Sequence, residues 1–312
     1  MRLSTAYAYE QSINNLQSRQ QDLSRTQTQL TSGKRVNLAS DDPTAAARAE
    51  RALASIARND TDKRALDASR NAMGIAESAL GDAVELLQSA RETMVAAGNG
   101  SYSDGEREAL AKKLVEVRKQ LLSIANRPDG SGGYVFGGQG LSDTPFTEVS
   151  NTAPGTVQYN GQRGRIQASS SEQVSLTVDG QRTWMQGRDE QGNLVGVNVF
   201  DALTSAIAGL QQSNATSTDL RATVNNGLKD LDKVMGNMQA ARAEVGEALN
   251  RMDGIESRIG SLKLAAQNEK SNAEDLDMIE AISRFQGQQT GYDAALRSYA
   301  AVQKMSLFQY IG

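Results

Sequence analysis

Twelve positions in the C-terminal third of the chain constrain its fold more than anything else in it. Leu228, Leu231, Met235, Met238, Arg242, Val245, Leu249, Met252, Glu256, Ile259, Lys263 and Ala266 recur at alternating spacings of three and four residues, over more than five heptads. An α-helix turns once in about 3.6 residues, so this spacing lays a stripe along one side of a helix, which other helices must cover. A second seam lies near the start, where Tyr9, Leu16, Leu23 and Leu30 recur every seven residues with Ile13 one step out of phase. Long helices at both ends of one chain predict that the two ends pair.

Between the seams, Ser32-Gly33 stops the first helix, and Ser40-Asp41-Asp42-Pro43 starts the next. An aspartate before proline is a strong start signal: the carboxylate accepts from free N–H groups and proline fits the first turn. Capping outweighs a metal or acid–base role for the two aspartates. The next helix is predicted to run to about Ala97. Leu66, Met73, Leu80, Leu87 and Met94 repeat every seven residues along it, with Ser69, Ala76, Ala83 and Ala90 at the paired positions. Small residues set against large ones predict close helix packing. Gly98-Asn99-Gly100 breaks the pattern, and a third helix is predicted from about Asp104 to Asn126, with Leu110, Leu114, Val117, Leu121 and Ile124 on its seam.

Residues 128–200 differ: three of the four prolines lie here, and no lysine occurs between Lys119 and Lys229. Alternation over Val174-Ser175-Leu176-Thr177-Val178, followed by Asp179-Gly180, predicts a β-hairpin with a tight turn. Asn160-Gly161 after Val157 and Tyr159 is a second, weaker hairpin signal. Helix resumes near Asn198. The last segment, 276–312, carries Leu276, Ile279, Ile282, Phe285, Tyr292, Leu296, Tyr299, Val302, Leu307 and Phe308 with few charges. Pairing with 1–33 would still leave apolar outer surface, the mark of an association site. The predicted fold is mainly α, a long antiparallel helical bundle or coiled coil with a small β-rich insert. Its divisions are 1–42 with 270–312, 43–127 with 198–269, and 128–197.

Composition removes most chemistry. With no cysteine and no histidine, a disulfide framework, a cysteine nucleophile, a Cys/His zinc site and a histidine base are excluded. A net charge of −4 argues against nucleic acid, and no apolar stretch approaches the ~18 residues of a membrane span. The start has no apolar core of the kind a cleaved signal needs, which predicts a cytosolic protein or export by another route. Gly130-Ser131-Gly132-Gly133-Tyr134-Val135-Phe136-Gly137-Gly138 shares only glycine content with a phosphate loop: it follows a helix rather than a strand. A flexible crossing into the β insert is the expected role. Glu274, Asp275 and Asp277 are expected on a solvated helix face, since a carboxylate-pair hydrolase would need a walled cleft. No catalytic, cofactor or metal residue is expected.

Leu30-Thr31-Ser32-Gly33-Lys34-Arg35-Val36 through Ser40-Asp41-Asp42-Pro43, with Tyr292-Asp293-Ala294-Ala295-Leu296 and Ser306-Leu307-Phe308-Gln309-Tyr310, resembles the paired terminal signatures of the flagellin superfamily. Asp129 to Gly138 with Asp143-Thr144-Pro145-Phe146, and Ala243-Glu244-Val245-Gly246 with Asn250-Arg251-Met252, resemble its hook-associated junction members.

The resemblance implies a structural adaptor rather than an enzyme. Such a protein forms a ring of copies of itself between the hook-side junction protein and flagellin. It is held by an export chaperone beforehand and leaves through the flagellar type III channel with no cleaved signal, so it works outside the cell. It also implies that the terminal segments form an inner-tube layer, the helical segments the next, and the insert the outside. The packing positions are then Ile13, Leu16, Leu23, Leu30, Leu296, Tyr299, Val302, Leu307 and Phe308. Flagellin itself is the alternative, and a cytosolic coiled-coil signalling protein a weaker one.

Overall fold

A computed structural model of the chain describes residues 2–139, 143–149, 155–168 and 174–311, with 2–6, 8 and 302–311 described by backbone alone. Each heptad seam is a helix: α1 (Arg2–Ser32), α2 (Pro43–Ala97), α3 (Asp104–Ala125), α6 (Ser217–Glu274) and α7 (Met278–Ile311). Between α3 and α6 lie β1 (Phe146–Val149), β2 (Thr156–Tyr159), α4 (Gly180–Trp184), β3 (Gly187–Arg188), β4 (Leu194–Val195) and α5 (Val199–Leu210). The chain divides into two compact units, 1–59 with 260–312, and 60–259; α2 and α6 contribute to both.

In the 60–259 unit the seven-residue lines are the core. Leu66, Met73, Leu80, Leu87 and Met94 are buried along α2, and so are Ser69, Ala76, Ala83 and Ala90. On α6 the buried line is Leu231, Met238, Val245, Met252 and Ile259. The alternate positions of that stripe are half-buried or exposed: Leu228, Met235 and Leu249 pack at the edge of the core, while Arg242 Nε donates to Glu77 at 2.8 Å, and Glu256 accepts from Lys63 at 2.9 Å and Arg70 at 2.6 Å. Low numbers on α2 meet high numbers on α6, so the helices run antiparallel. Burying the large line supplies the driving force.

The helix ends follow local chemistry. Asp42 caps α2 by accepting from the Ala45 N–H at 3.0 Å, and Ser103 and Glu106 form a reciprocal capping box on α3. Asn198 caps α5, accepting from Asp201 N–H at 2.7 Å. The helical run from Asn198 into the long seam is not continuous. It stops at Leu210 and restarts at Ser217, where Thr216 and Asp219 cap each other's backbone N–H groups at 3.2 Å.

The insert departs from the sequence reading at three places. Asp179-Gly180 is not a hairpin turn: Asp179 accepts from the Arg182 N–H and caps α4. Gly180 is required there because a Cβ would sit 2.1 Å from the Phe136 carbonyl. Residues 174–176 instead pair briefly and antiparallel with 166–168 on their N-terminal side, through Ala168 N–H to Val174 O and Leu176 N–H to Ile166 O, both 2.8 Å, and Val178 N–H donates to Val135 O at 2.8 Å. Val157 and Tyr159 do lie in a strand, but β2 pairs antiparallel with β1 on its N-terminal side, and Asn160-Gly161 leaves the ladder. The expected flexible crossing is anchored at its centre. Gly130 and Gly132 take positive φ, whereas Val135 and Phe136 are fully buried.

Phe136, Phe146 and Phe200 surround Trp184, whose ring stacks on Phe200 at 6.2 Å and meets Phe136 edge-on at 5.3 Å. Arg118 of α3, 2% exposed, ties this region down: it donates to Glu148 at 2.8 Å, to Thr204 at 3.1 Å and to the Gly155 carbonyl. The small β part thus has its own aromatic core on α3 and α5. Leu87→Ala should lower unfolding stability in urea by about 2–5 kcal/mol, because the close-packed side chains around this fully buried leucine cannot collapse into the void. A loss well under 1 kcal/mol would contradict this account of the core.

Candidate functional site

The 1–59 and 260–312 unit begins with a backbone stop. Gly33 ends α1 at φ 70°, a conformation that suits glycine, and its N–H donates to Gln29 O at 2.8 Å. The chain then laces onto the end of α6. Arg35 N–H donates to Glu274 O at 2.7 Å, Leu276 N–H to Gly33 O at 3.0 Å, and the Arg35 guanidinium to Ala273 O at 2.7 Å. Gln29 reaches across and donates to Arg35 O at 2.7 Å.

Glu274, buried here, is not on a solvated face; it pairs with Lys34 at 3.2 Å and Lys270 at 2.9 Å. Burial pushes its carboxyl up, but the two ammonium groups outweigh burial and hold it below the usual carboxylate range. Asp277 caps α7 by accepting from Ile279 N–H at 3.0 Å and Glu280 N–H at 3.1 Å, and Asp275 accepts from the Ser271 hydroxyl. Asp41 accepts from Asn37 and Leu38 N–H groups at 3.1 and 3.0 Å. The Ala45 N–H, the Thr44 hydroxyl and Arg35 hold the Asp42 carboxyl down at about 2. Each of these acids has a structural partner.

Beyond this elbow α1 and α7 pack side by side. Tyr299 and Tyr9 meet with ring centroids 5.4 Å apart and their hydroxyls hydrogen-bonded. The α7 side turned to α1 follows Ala281, Phe285, Gln288, Tyr292, Ala295 and Tyr299, again at alternating four and three. The pairing is thin. Thr26 and Gln29 occupy buried positions on α1, Gln288 leaves its carbonyl oxygen buried with no partner, and only Ala281 on the α7 line is fully buried. Away from that line α7 presents Ile279, 85% exposed, and on its flank Ile282 and Leu296. Among the described residues, large apolar side chains left in solvent concentrate in this unit, with Val95, Val149 and Leu194 the exceptions. A surface of this kind awaits a partner.

Comparison with known proteins bears on what that partner is. Residues 3–140 match the bacterial flagellin N-terminal helical region and residues 228–311 the bacterial flagellin C-terminal helical region. The flagellar hook-associated protein 3 of Escherichia coli is 30% identical over 99% of both chains. The chain belongs to the flagellar hook-associated protein 3 family. Flagellin of Bacillus subtilis is more distant, 25% identical over 91% of this chain and 90% of its own. The crystal structure of the flagellar junction protein FlgL from Legionella pneumophila shares the fold, with a TM-score of 0.58 over 73% of this chain and all of that one, at 18% identity.

For a member of this family, the structure gives the signature residues physical roles. Gly33 makes the stop, Lys34 and Arg35 bind the end of α6, and Asp42 starts α2. Of the positions singled out in the sequence, Ile13, Leu16, Leu23, Leu30 and Tyr299 are half-buried and Leu296 is 41% exposed. The side chains of Val302, Leu307 and Phe308 lie outside those described. Sequence reasoning missed the elbow cluster of Lys34, Arg35 and Glu274, and separated neither face of α7 from the other. Only the adjacency of Lys34-Arg35 to a glycine helix stop hinted at the first. Because the folded-state value of Glu274 lies below its unfolded one, its pairing stabilises above the unfolded carboxylate range and is lost as pH falls through the depressed value. Thermal unfolding should therefore fall more steeply below about pH 4 in the parent chain than in Glu274→Gln; equal slopes would contradict the pairing.

Proposed function

We propose that this chain is the structural adaptor that joins the hook-side junction protein to the flagellin filament of a bacterial flagellum, outside the cell. The carrying observation is the end-to-end likeness to a hook-associated protein 3, stronger than that to flagellin. The geometry supports the same reading. A thinly packed α1–α7 pair with an apolar outer face gains stability when neighbours cover it, as assembly into a ring of copies would do. In this reading 1–42 and 270–312 form the inner layer, 43–127 and 198–269 the helical layer, and 128–197 the outer insert. Ile13, Leu16, Leu23, Leu30, Leu296, Tyr299, Val302, Leu307 and Phe308 are the packing positions. An export chaperone covers the terminal faces before secretion by the type III route, and neither nucleic acid nor membrane insertion is involved. The work is mechanical rather than enzymatic.

Deletion in a motile host, examined by electron microscopy with flagellin assayed in the medium, tests this. Bare hooks with flagellin released as monomer are expected. Bare hooks with no flagellin-like protein in the medium would make the chain the filament subunit, and normal filaments would overturn both. Leu296→Asp should likewise abolish filament attachment, while the folded core, followed through Trp184 fluorescence, stays intact.

A further inference from the structure

Glu244, in the Ala243-Glu244-Val245-Gly246 motif, has no part in the proposed assembly surface, yet three pieces of the insert converge on it. Arg165 follows β2, Arg182 lies in α4 and Arg188 in β3. Their guanidinium groups stand 2.8, 3.0 and 3.8 Å from the Glu244 carboxylate, all at part-exposed positions. Val245, the next residue, faces the helical core and is buried. The two neighbours thus serve opposite sides of α6. Asn237, seven residues earlier, works on the insert side too: its Nδ2 donates to the carbonyls of Arg182, Thr183 and Gln186 at 2.8, 3.1 and 2.8 Å. Asp179 is engaged by the backbone N–H groups of Gly164 and Arg182, and Arg163 by Gln181. Glu244 is therefore the carboxylate that α6 offers to this arginine cluster.

The two fastenings differ physically. A buried amide–carbonyl set is insensitive to salt, whereas a part-exposed ionic cluster weakens as salt screens it. We propose that Glu244 is an ionic latch holding residues 163–168 and 174–188 against α6, and that opening it loosens these segments while the α2, α3 and α6 packing stays formed. The apolar lines of those helices do not pass through Glu244, so the opening is local.

Amide hydrogen exchange read by mass spectrometry, on the whole chain, tests the latch. Peptides within 163–168 and 174–188 should exchange about fivefold faster in Glu244→Gln, with α2 and α3 peptides unchanged. Raising salt to about 1 M should speed the same peptides in the parent chain but not in Glu244→Gln. Asn237→Ala should speed them yet keep the salt response, and Arg165→Gln, a milder change, should fall between parent and Glu244→Gln. Unchanged exchange in Glu244→Gln and Arg165→Gln, acceleration spread over the whole chain, or a salt-insensitive parent would overturn the proposal.

Discussion

Everything in this protein depends on keeping one side of two very long helices covered. α2 has 55 residues and α6 has 58, and neither can hold a helical stripe of leucine, methionine and valine in water by itself. In the 60–259 unit the stripe is covered within the chain, by alanine lines, by α3 and α5, and by charges set along the seam edge. The charged edge fixes antiparallel register while contributing little to stability pair by pair. The core there is complete. In the terminal unit it is not, and that contrast supports the proposed assembly role.

The incompleteness has a specific form. The α1–α7 contact uses threonine, glutamine and alanine where the α2–α6 contact uses leucine and methionine. Isoleucines 279 and 282, which could have filled it, face outward. A chain selected only to fold alone would place those side chains the other way. The elbow at Gly33 to Val36 sets where α1 ends and α7 begins, through backbone bonds and one buried glutamate rather than apolar area. The elbow geometry therefore does not depend on covering the apolar face of α7.

The helices were legible because their signal is periodic and repeated. Every seam position from Leu66 to Met94, and the line from Leu231 to Ile259, lies where its spacing says, and Asp42 caps α2 as its place before Pro43 requires. The insert was legible only in part. Asp179-Gly180 reads as a turn in sequence because aspartate and glycine serve both turns and helix starts. Close approach of Gly180 to the Phe136 carbonyl, a long-range contact, decides between them. The glycines after Phe136 likewise look like a linker until the burial of Val135 and Phe136 is known. Glu274 was misread for the same reason: Lys270 is a local i,i+4 partner, but Lys34 and the burial it brings come from the far end of the chain.

The central claim is that the outward face of α7 is covered by neighbouring subunits in the flagellum. The chain has no cysteine, so Ile279→Cys provides a single thiol on that face. Its rate of maleimide labelling should be measured in the free protein and in flagella isolated from cells that make it. The account predicts rapid labelling of the free chain and strong protection after assembly. Equal rates in both would contradict it.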